Sequence, residues 1–553
     1  MKKRRPRTSA AVLGAAVTAA LVLSASANAA RREAPAPPSS LVPAVDIVVA
    51  PPPASALDQV SLPAYARDVP PELQGAIREA LSLPALRGSK VSVYAARVSD
   101  GAPLVSLKEE ELLNPASCVK LFTTAAALRT LRPHHRFATE YLMRGTLDGT
   151  TLKGDIIIRG MGDPTVTQER LYKVATEIHA RGLTHVTGDV IVDDSYFDKF
   201  GEAPGWEQET QADRAYAAPS GALSLNQNAL AIYVRPGPHR GAPGVVQVEP
   251  AGDHIVIETQ VMTTRYGRRL WVHTAPDGDK TRVIVQGVIG LHEPAERYVR
   301  RITNPTIHFG QAFLQVMRLR GITVKGRVRQ GVTPESSRPL FTDLSPSLRA
   351  IVDVLNHHSS NFIAEMLLKS MGAQLLGAPG TTQKGLSVVA NVLEREMGVA
   401  SGSYIMGNGS GLNDINRFST VHLVKVLRRM ALDPTLSPEF MASLAVAGSG
   451  GTLTHRMGQT AAEGQLRGKT GTLLGVSALS GYVESPKHGL IAFSIMVNGL
   501  QGPASGAWEM QDRIGAAMAG DPDPGLAWAR KNGGATAGAN PVNRGIVPGG
   551  GTP

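Results

Sequence analysis

Residues 113–128 read LNPASCVKLFTTAAAL. A serine, the chain's single cysteine and a lysine fall within four positions, after a proline and ahead of a run of good helix formers. If a helix begins near Ser117, Lys120 lies three residues on along the same face and can reach the Ser117 hydroxyl. An amine takes a proton from a hydroxyl only when neutral, a state that burial or a neighbouring cation favours. A helix start also turns backbone N–H groups toward the place where a developing oxyanion would sit. A Ser/Lys pair at this spacing is common, and a serine that merely caps the helix is the competing reading. Cys118 lies about 100° round the helix from Ser117. It reads as a small buried hydrophobe, since nothing beside it supplies a base for a reactive thiol.

Two later stretches offer partners for this pair. The first is S-x-N at 359–361, within LNHHSSNFIAEML. There the Ser359 hydroxyl could relay a proton, and the Asn361 amide could hold a peptide with both its donor and its acceptor. A polar break between two helices is the plainer alternative. The second is K-T-G-T at 469–472, within LRGKTGTLLGVSALSGYV, on or just ahead of an edge strand. Gly471 lets another backbone approach closely. Lys469, Thr470 and Thr472 make a site for a carboxylate, and a strand-initiating turn is the alternative.

Composition narrows the classes. With 553 residues, 42% hydrophobic and 19% charged, the chain is an ordinary globular protein of more than one unit. It opens with a basic KKRRPR, an apolar AAVLGAAVTAALVL and the small-residue SASANA, the layout of a secretory signal peptide over residues 1–29. Without that leader the net charge falls from +11 to +6. No basic run interleaves with aromatics, so a nucleic-acid partner is not expected. The residual charge is compatible with a loose association with membrane or wall. One cysteine excludes an intramolecular disulfide, and the absence of H-E-x-x-H or Cys pairs argues against a metal site.

Residues 30–60 are a Pro/Ala-rich linker and 530–553 a Gly/Pro-rich tail without periodicity. Between them the pattern predicts a helix at 70–81, a hairpin of strands 90–98 and 103–107, and the helix near Ser117. GDIIIRG (154–160) and GDVIVDD (188–194) flank a helical stretch, 171–183, as strand–helix–strand. Strands at 254–264, 270–275 and 281–290 follow. Helices dominate after about 300, before strands at 475–485 and 489–500 and a helix at 507–520. Strands at both ends of a helical block point to one sheet assembled from both ends of the chain.

In this order S-x-x-K, S-x-N and K-T-G-T resemble the signature of penicillin-binding proteins and class A β-lactamases. Ser359 follows Ser117 by 242 positions. That separation is similar to the class C low-molecular-weight penicillin-binding proteins, the D-alanyl-D-alanine carboxypeptidase/endopeptidases of peptidase family S13; class A β-lactamases keep the motifs close. GDIIIRGMGDPT, VIVDDSYFD, YAAPSGALSLNQNAL, NPTIHFGQAFLQVMRLRGITVKG and GNGSGLNDINRFST resemble further blocks of that family, over residues 70 to 520. Departures are Ser360 for Asp in the second motif, Met161 in GMGDP, Asn408 for Asp, and Asp414 where the family has Arg, with Arg417 nearby.

The resemblance implies an α/β (α+β) fold: a penicillin-binding-protein/β-lactamase-like serine transpeptidase domain (61–144 and 335–529) with a strand-rich insertion domain (145–334). It implies a serine peptidase of the cell envelope or periplasm that hydrolyses peptidoglycan stem peptides or crosslinks through an acyl-enzyme and is acylated by β-lactam antibiotics, without cofactor or metal. Ser117 would be the nucleophile, and Lys120 the base, kept neutral partly by Lys469. Ser359 would relay the proton and Asn361 orient the peptide. Lys469, Thr470, Gly471 and Thr472 would form the carboxylate-binding strand, and the N–H groups of Ser117 and Thr472 the oxyanion hole. A β-lactamase-like hydrolase would need an extra carboxylate poised over a water, and no such motif stands out. A catalytically impaired peptidoglycan-binding protein of the same fold is the alternative.

Overall fold

Both ends of the chain build one sheet. The computed structural model describes residues 71–522 and 524–525; the expected leader (1–29), linker (30–60) and tail (530–553) lie outside the described residues. The first strand, Lys90–Arg97, runs antiparallel to Gly489–Asn498, with Lys90 opposite Asn498 and Arg97 opposite Ile491. The six strands follow the order Ala445–Val446, Leu466–Leu473, Val476–Ser485, Gly489–Asn498, Lys90–Arg97, Pro103–Leu107, every neighbour antiparallel.

The side-chain period of two sorts this sheet's residues onto two cores. Ala478, Tyr482, Ala492 and Met496 join a cluster with helices Lys120–Leu131, Leu348–His358, Asn361–Leu376, Thr382–Glu396 and Thr420–Leu432. Leu479, Val483, Ile491, Phe493, Ile495 and Val497 face the other way, onto helices Pro71–Leu81 and Ser505–Met518. Covered on both faces, strand Val476–Ser485 is buried at all but one position. Lys120–Leu131 is likewise buried almost all round, the mark of a central rather than a surface helix. Its Phe122 stacks on Phe418 at 4.1 Å between ring centroids; full burial of such a side chain contributes about 1.5–3 kcal/mol.

The segment between Lys120–Leu131 and Leu348–His358 holds the strand-rich insertion. Its larger sheet runs Thr323–Val324, His185–Val186, Thr151–Gly160, Ala138–Asp148, Arg338–Leu344, with Val190–Asp193 also pairing Thr151–Gly160. The strand–helix–strand unit is there: Ile156 pairs Val190 in parallel across helix Gln168–Ala180. Two three-stranded sheets share a smaller core of Leu230, Ile232, Val234, Val272, Val283 and Val285. The larger sheet reaches past the expected 145–334. The change of texture at 145 falls inside strand Ala138–Asp148, which is zipped to Thr151–Gly160 from Thr139 opposite Gly160 to Asp148 opposite Thr151. No helix among the described residues is long and apolar enough to cross a membrane.

Candidate active site

The turn that carries Ser117 is built against its neighbours. Asn114 Oδ1 accepts from the Ala116 N–H at 2.8 Å, and Ala116 takes φ 46°, left-handed backbone that a non-glycine residue adopts only when held. Asn498, at the end of the last strand, pins this turn with its side-chain amide: Oδ1 accepts from Asn114 N at 2.8 Å and Nδ2 donates to Asn114 O at 3.0 Å. A 3-10 turn, Ala116–Val119, then leads into helix Lys120–Leu131. Neither element takes a side-chain cap, so Ser117 is not a capping serine.

Lys120 is fully buried. Its Nζ lies 2.8 Å from Ser117 Oγ, 2.7 Å from Asn361 Oδ1, and against the Ser410 carbonyl oxygen. Asn361 and Ser410 can only accept here, so in the neutral amine they take its two hydrogens and the lone pair faces Ser117. Burial pushes the Lys120 amine well below the usual lysine range, and the charge of Lys469 pushes the same way. Lys469 is also fully buried, and burial brings it to about 8.

Lys469 donates to Ser359 Oγ at 2.7 Å and to the Thr470 carbonyl at 2.8 Å. Ser359 holds φ 56° between helices Leu348–His358 and Asn361–Leu376, so the break is real and also aims the hydroxyl at Lys469. Ser360 caps the second helix, accepting from Ile363 N at 3.2 Å, and donates to Gln227 Oε1 of the insertion at 2.9 Å. A serine thus fulfils the capping role open to an aspartate at that position. Asn361 Nδ2 donates to the Tyr216 carbonyl at 3.1 Å.

The K-T-G-T residues sit within strand Leu466–Leu473, hairpin-paired to Val476–Ser485. The two-residue strand Ala445–Val446 pairs only Arg467 and Gly468, so among the described residues 469–473 form an edge. Gly471 lies against the Ser117 turn: a Cβ there would meet Pro115 O at 2.7 Å and Ser117 N at 3.0 Å. Lys469 and Gly471 alternate with Thr470 and Thr472. The Thr470 hydroxyl donates to Thr452 Oγ1 at 2.8 Å, while Thr472 is exposed on the edge. Cys118 is buried, with its thiol pushed up by burial and donating to the Lys469 carbonyl at 3.2 Å.

Of the residues around this turn, Glu365 escaped the sequence reading, whereas Asn408, Asp414 and Arg417 were singled out. Glu365 is buried and accepts from Ser410 N at 2.8 Å and Gly409 N at 3.3 Å. Asn408 Oδ1 accepts from Gly411 N at 2.8 Å, closing the same turn. Asp414 binds Arg417 with both oxygens, at 2.8 and 3.0 Å, and accepts from Asn114 Nδ2 at 2.8 Å. Against the cost of burial, those bonds hold its carboxyl below the usual range. Arg417, adjacent to the departure at 414, is therefore engaged by Asp414 itself.

Comparison with known proteins shows the family and the fold. The D-alanyl-D-alanine carboxypeptidase of Actinomadura sp. (strain R39) is 34% identical over 463 residues, covering 81% of this chain and 84% of that protein. The crystal structure of penicillin binding protein 4 from Haemophilus influenzae superposes with a TM-score of 0.70 at 22% identity, covering 80% of this chain and 98% of that one. The same protein complexed with a β-lactam gives 0.66 at 22% identity, over 80% and 97% of the two chains. A family model matches residues 73–517, and with it the chain belongs to the D-Ala-D-Ala carboxypeptidase 3 (S13) family.

Proposed function

We propose that this chain is a serine D-Ala-D-Ala carboxypeptidase, able also to act as an endopeptidase on D-Ala crosslinks, that works through an acyl-enzyme on Ser117. The observation that carries the reading is the Lys120 amine, 2.8 Å from Ser117 Oγ, with its other two directions closed by Asn361 and Ser410. Lys120 removes the hydroxyl proton as Oγ attacks the carbonyl of the penultimate D-alanine. The oxyanion is received by the N–H groups of Ser117 and Thr472. The C–N bond then breaks, and the proton taken by Lys120 passes through Ser359, which Lys469 holds at 2.7 Å, to the departing amine, leaving Lys120 neutral again. Lys469, Thr470 and Thr472 receive the terminal carboxylate, and the second N–H of the Asn361 amide orients the peptide.

In deacylation a water gives its proton to Lys120 and attacks the ester, restoring Ser117 and releasing the shortened peptide. With a β-lactam the same attack opens the ring, but the leaving nitrogen stays tethered, so the acyl-enzyme persists. The substrate is then a peptidoglycan stem peptide or crosslink, in keeping with an exported envelope protein if residues 1–29 are the leader. The test is intact-protein mass spectrometry after incubation with benzylpenicillin, with release of D-alanine from an acyl-D-Ala-D-Ala peptide measured alongside. A stable adduct and D-alanine release, both lost in Ser117→Ala, are expected. A folded wild-type chain that forms no adduct refutes the proposal.

A further inference from the structure

Glu365 lies four residues beyond Asn361, so both side chains leave helix Asn361–Leu376 on one face. A buried carboxylate is costly without partners. This one, 2% exposed, directs one oxygen to Ser410 N at 2.8 Å and the other to Gly409 N at 3.3 Å. Two accepting oxygens match the ionised form. The same turn presents the Ser410 carbonyl to Lys120 Nζ. Gly411, at φ 75°, then runs so close to the nucleophile turn that a Cβ on it would lie 2.0 Å from Ala116 O.

We propose that Glu365 is a positioning residue for acylation: it holds the Gly409–Ser410 turn so that the Ser410 carbonyl takes one amine hydrogen of Lys120 and leaves the lone pair facing Ser117. The inference rests on the reading of Lys120 as the base. Charge adds a second effect. The ionisable groups facing Lys120 are Lys469 from the edge strand, Cys118 from its own turn, and Glu365. Burial and Lys469 drive the amine toward neutrality, and the Glu365 carboxylate opposes them. Burial raises the Glu365 carboxyl in turn, against the pull of the Ser410 and Gly409 N–H groups and of Lys120.

Two substitutions separate reach from charge. Glu365→Gln keeps the length but removes the charge and turns an N–H donor toward one of the two backbone N–H groups. Glu365→Asp keeps the charge and is one methylene short. The readout is the second-order rate of acylation by benzylpenicillin between pH 4.5 and 9, with a thermal melt of each chain. In Glu365→Gln the acid limb of the profile should move to lower pH, because Lys120 loses the anion that favours its protonated form. In both variants the plateau should fall by roughly 10²-fold, the cost of an ångström of misplacement. Glu365→Asp should keep the wild-type acid limb. A Glu365→Gln profile that superposes on wild type overturns the proposal. So does loss of the cooperative melt in both variants, which would assign Glu365 to the fold alone; where one variant folds, its profile decides. Failure of the underlying base reading is distinguishable, because it would show as acylation that survives at the wild-type rate in Lys120→Ala.

Discussion

The close approach of Gly471 to Ser117 yields a sharp quantitative expectation for Gly471→Ala. Gly471 has no positive φ, so the substitution adds no backbone strain, and its whole effect is the added methyl. That methyl would lie 2.7 Å from Pro115 O, 3.0 Å from Ala116 Cβ and 3.0 Å from Ser117 N. Ordinary van der Waals contact for such atoms is about 3.5–4.0 Å. The edge strand must therefore retreat from the nucleophile turn by about 0.5–1 Å. A shift of that size withdraws the Thr472 N–H from the oxyanion, and loss of one such donor costs about 10²–10³ in rate, or about 3 kcal/mol. Overpacking should cost about 1–3 kcal/mol of stability as well. The assay is acylation by a fluorescent penicillin, followed by stopped flow, beside a thermal melt. Acylation at the wild-type rate in Gly471→Ala would refute the argument, since it would mean that Ser117 and the strand need no such contact.

Two further outcomes follow from buried cations and imidazoles. Lys469, at about 8, is charged below that pH and neutral above it, so D-alanine release from a carboxylate-bearing peptide should decline above about pH 8. Lys469→Arg, which stays charged, should lower the plateau yet carry it to higher pH; a wild-type rate that stays flat to pH 10 would contradict this. In the insertion, His254 Nε2 and His308 Nδ1 meet at 2.7 Å, and burial lowers the two imidazoles to about 4 and about 3. The unfolded chain then binds more protons as pH falls from 6.5 toward 4, so the melting temperature should drop through that window. His308→Gln should flatten the drop.

Legibility in the sequence followed the range of the contacts. Ser117 and Lys120 are three residues apart, so their meeting depends only on a helix starting there. The 469–472 segment was legible only as lying on or just ahead of an edge strand, because the Val476–Ser485 hairpin partner follows it at once; it lies within Leu466–Leu473. The break at Ser359 was visible as polar residues between two apolar helical runs. Glu365 was not, because its partners at 409 and 410 lie in a separate loop. The available signal was a lone acid in FIAEMLLKSM, where helical burial on every side obliges a charge to find donors. Strand Ala229–Arg235, which pairs both Val245–Glu249 and Glu296–Arg301, was missed because ALAIYVR is apolar on both faces, so its alternating burial does not show as a polar/apolar alternation. Strand Ala138–Asp148 was missed because its second half is exposed.

The pairing of Lys90–Arg97 with Gly489–Asn498 has a consequence for the order in which the enzyme comes into being. Ser117 and Lys120 are synthesised early, but the strand that carries Lys469 and the Asn498 amide that pins the nucleophile turn emerge hundreds of residues later. Contacts that span so much chain form late and slowly. On the proposed mechanism, a nascent or truncated chain therefore has a serine and a lysine but no buried cation to neutralise the base and no strand to complete the oxyanion hole. On that mechanism reactivity is timed by topology: the chain becomes competent to acylate only when its last strand has closed the sheet.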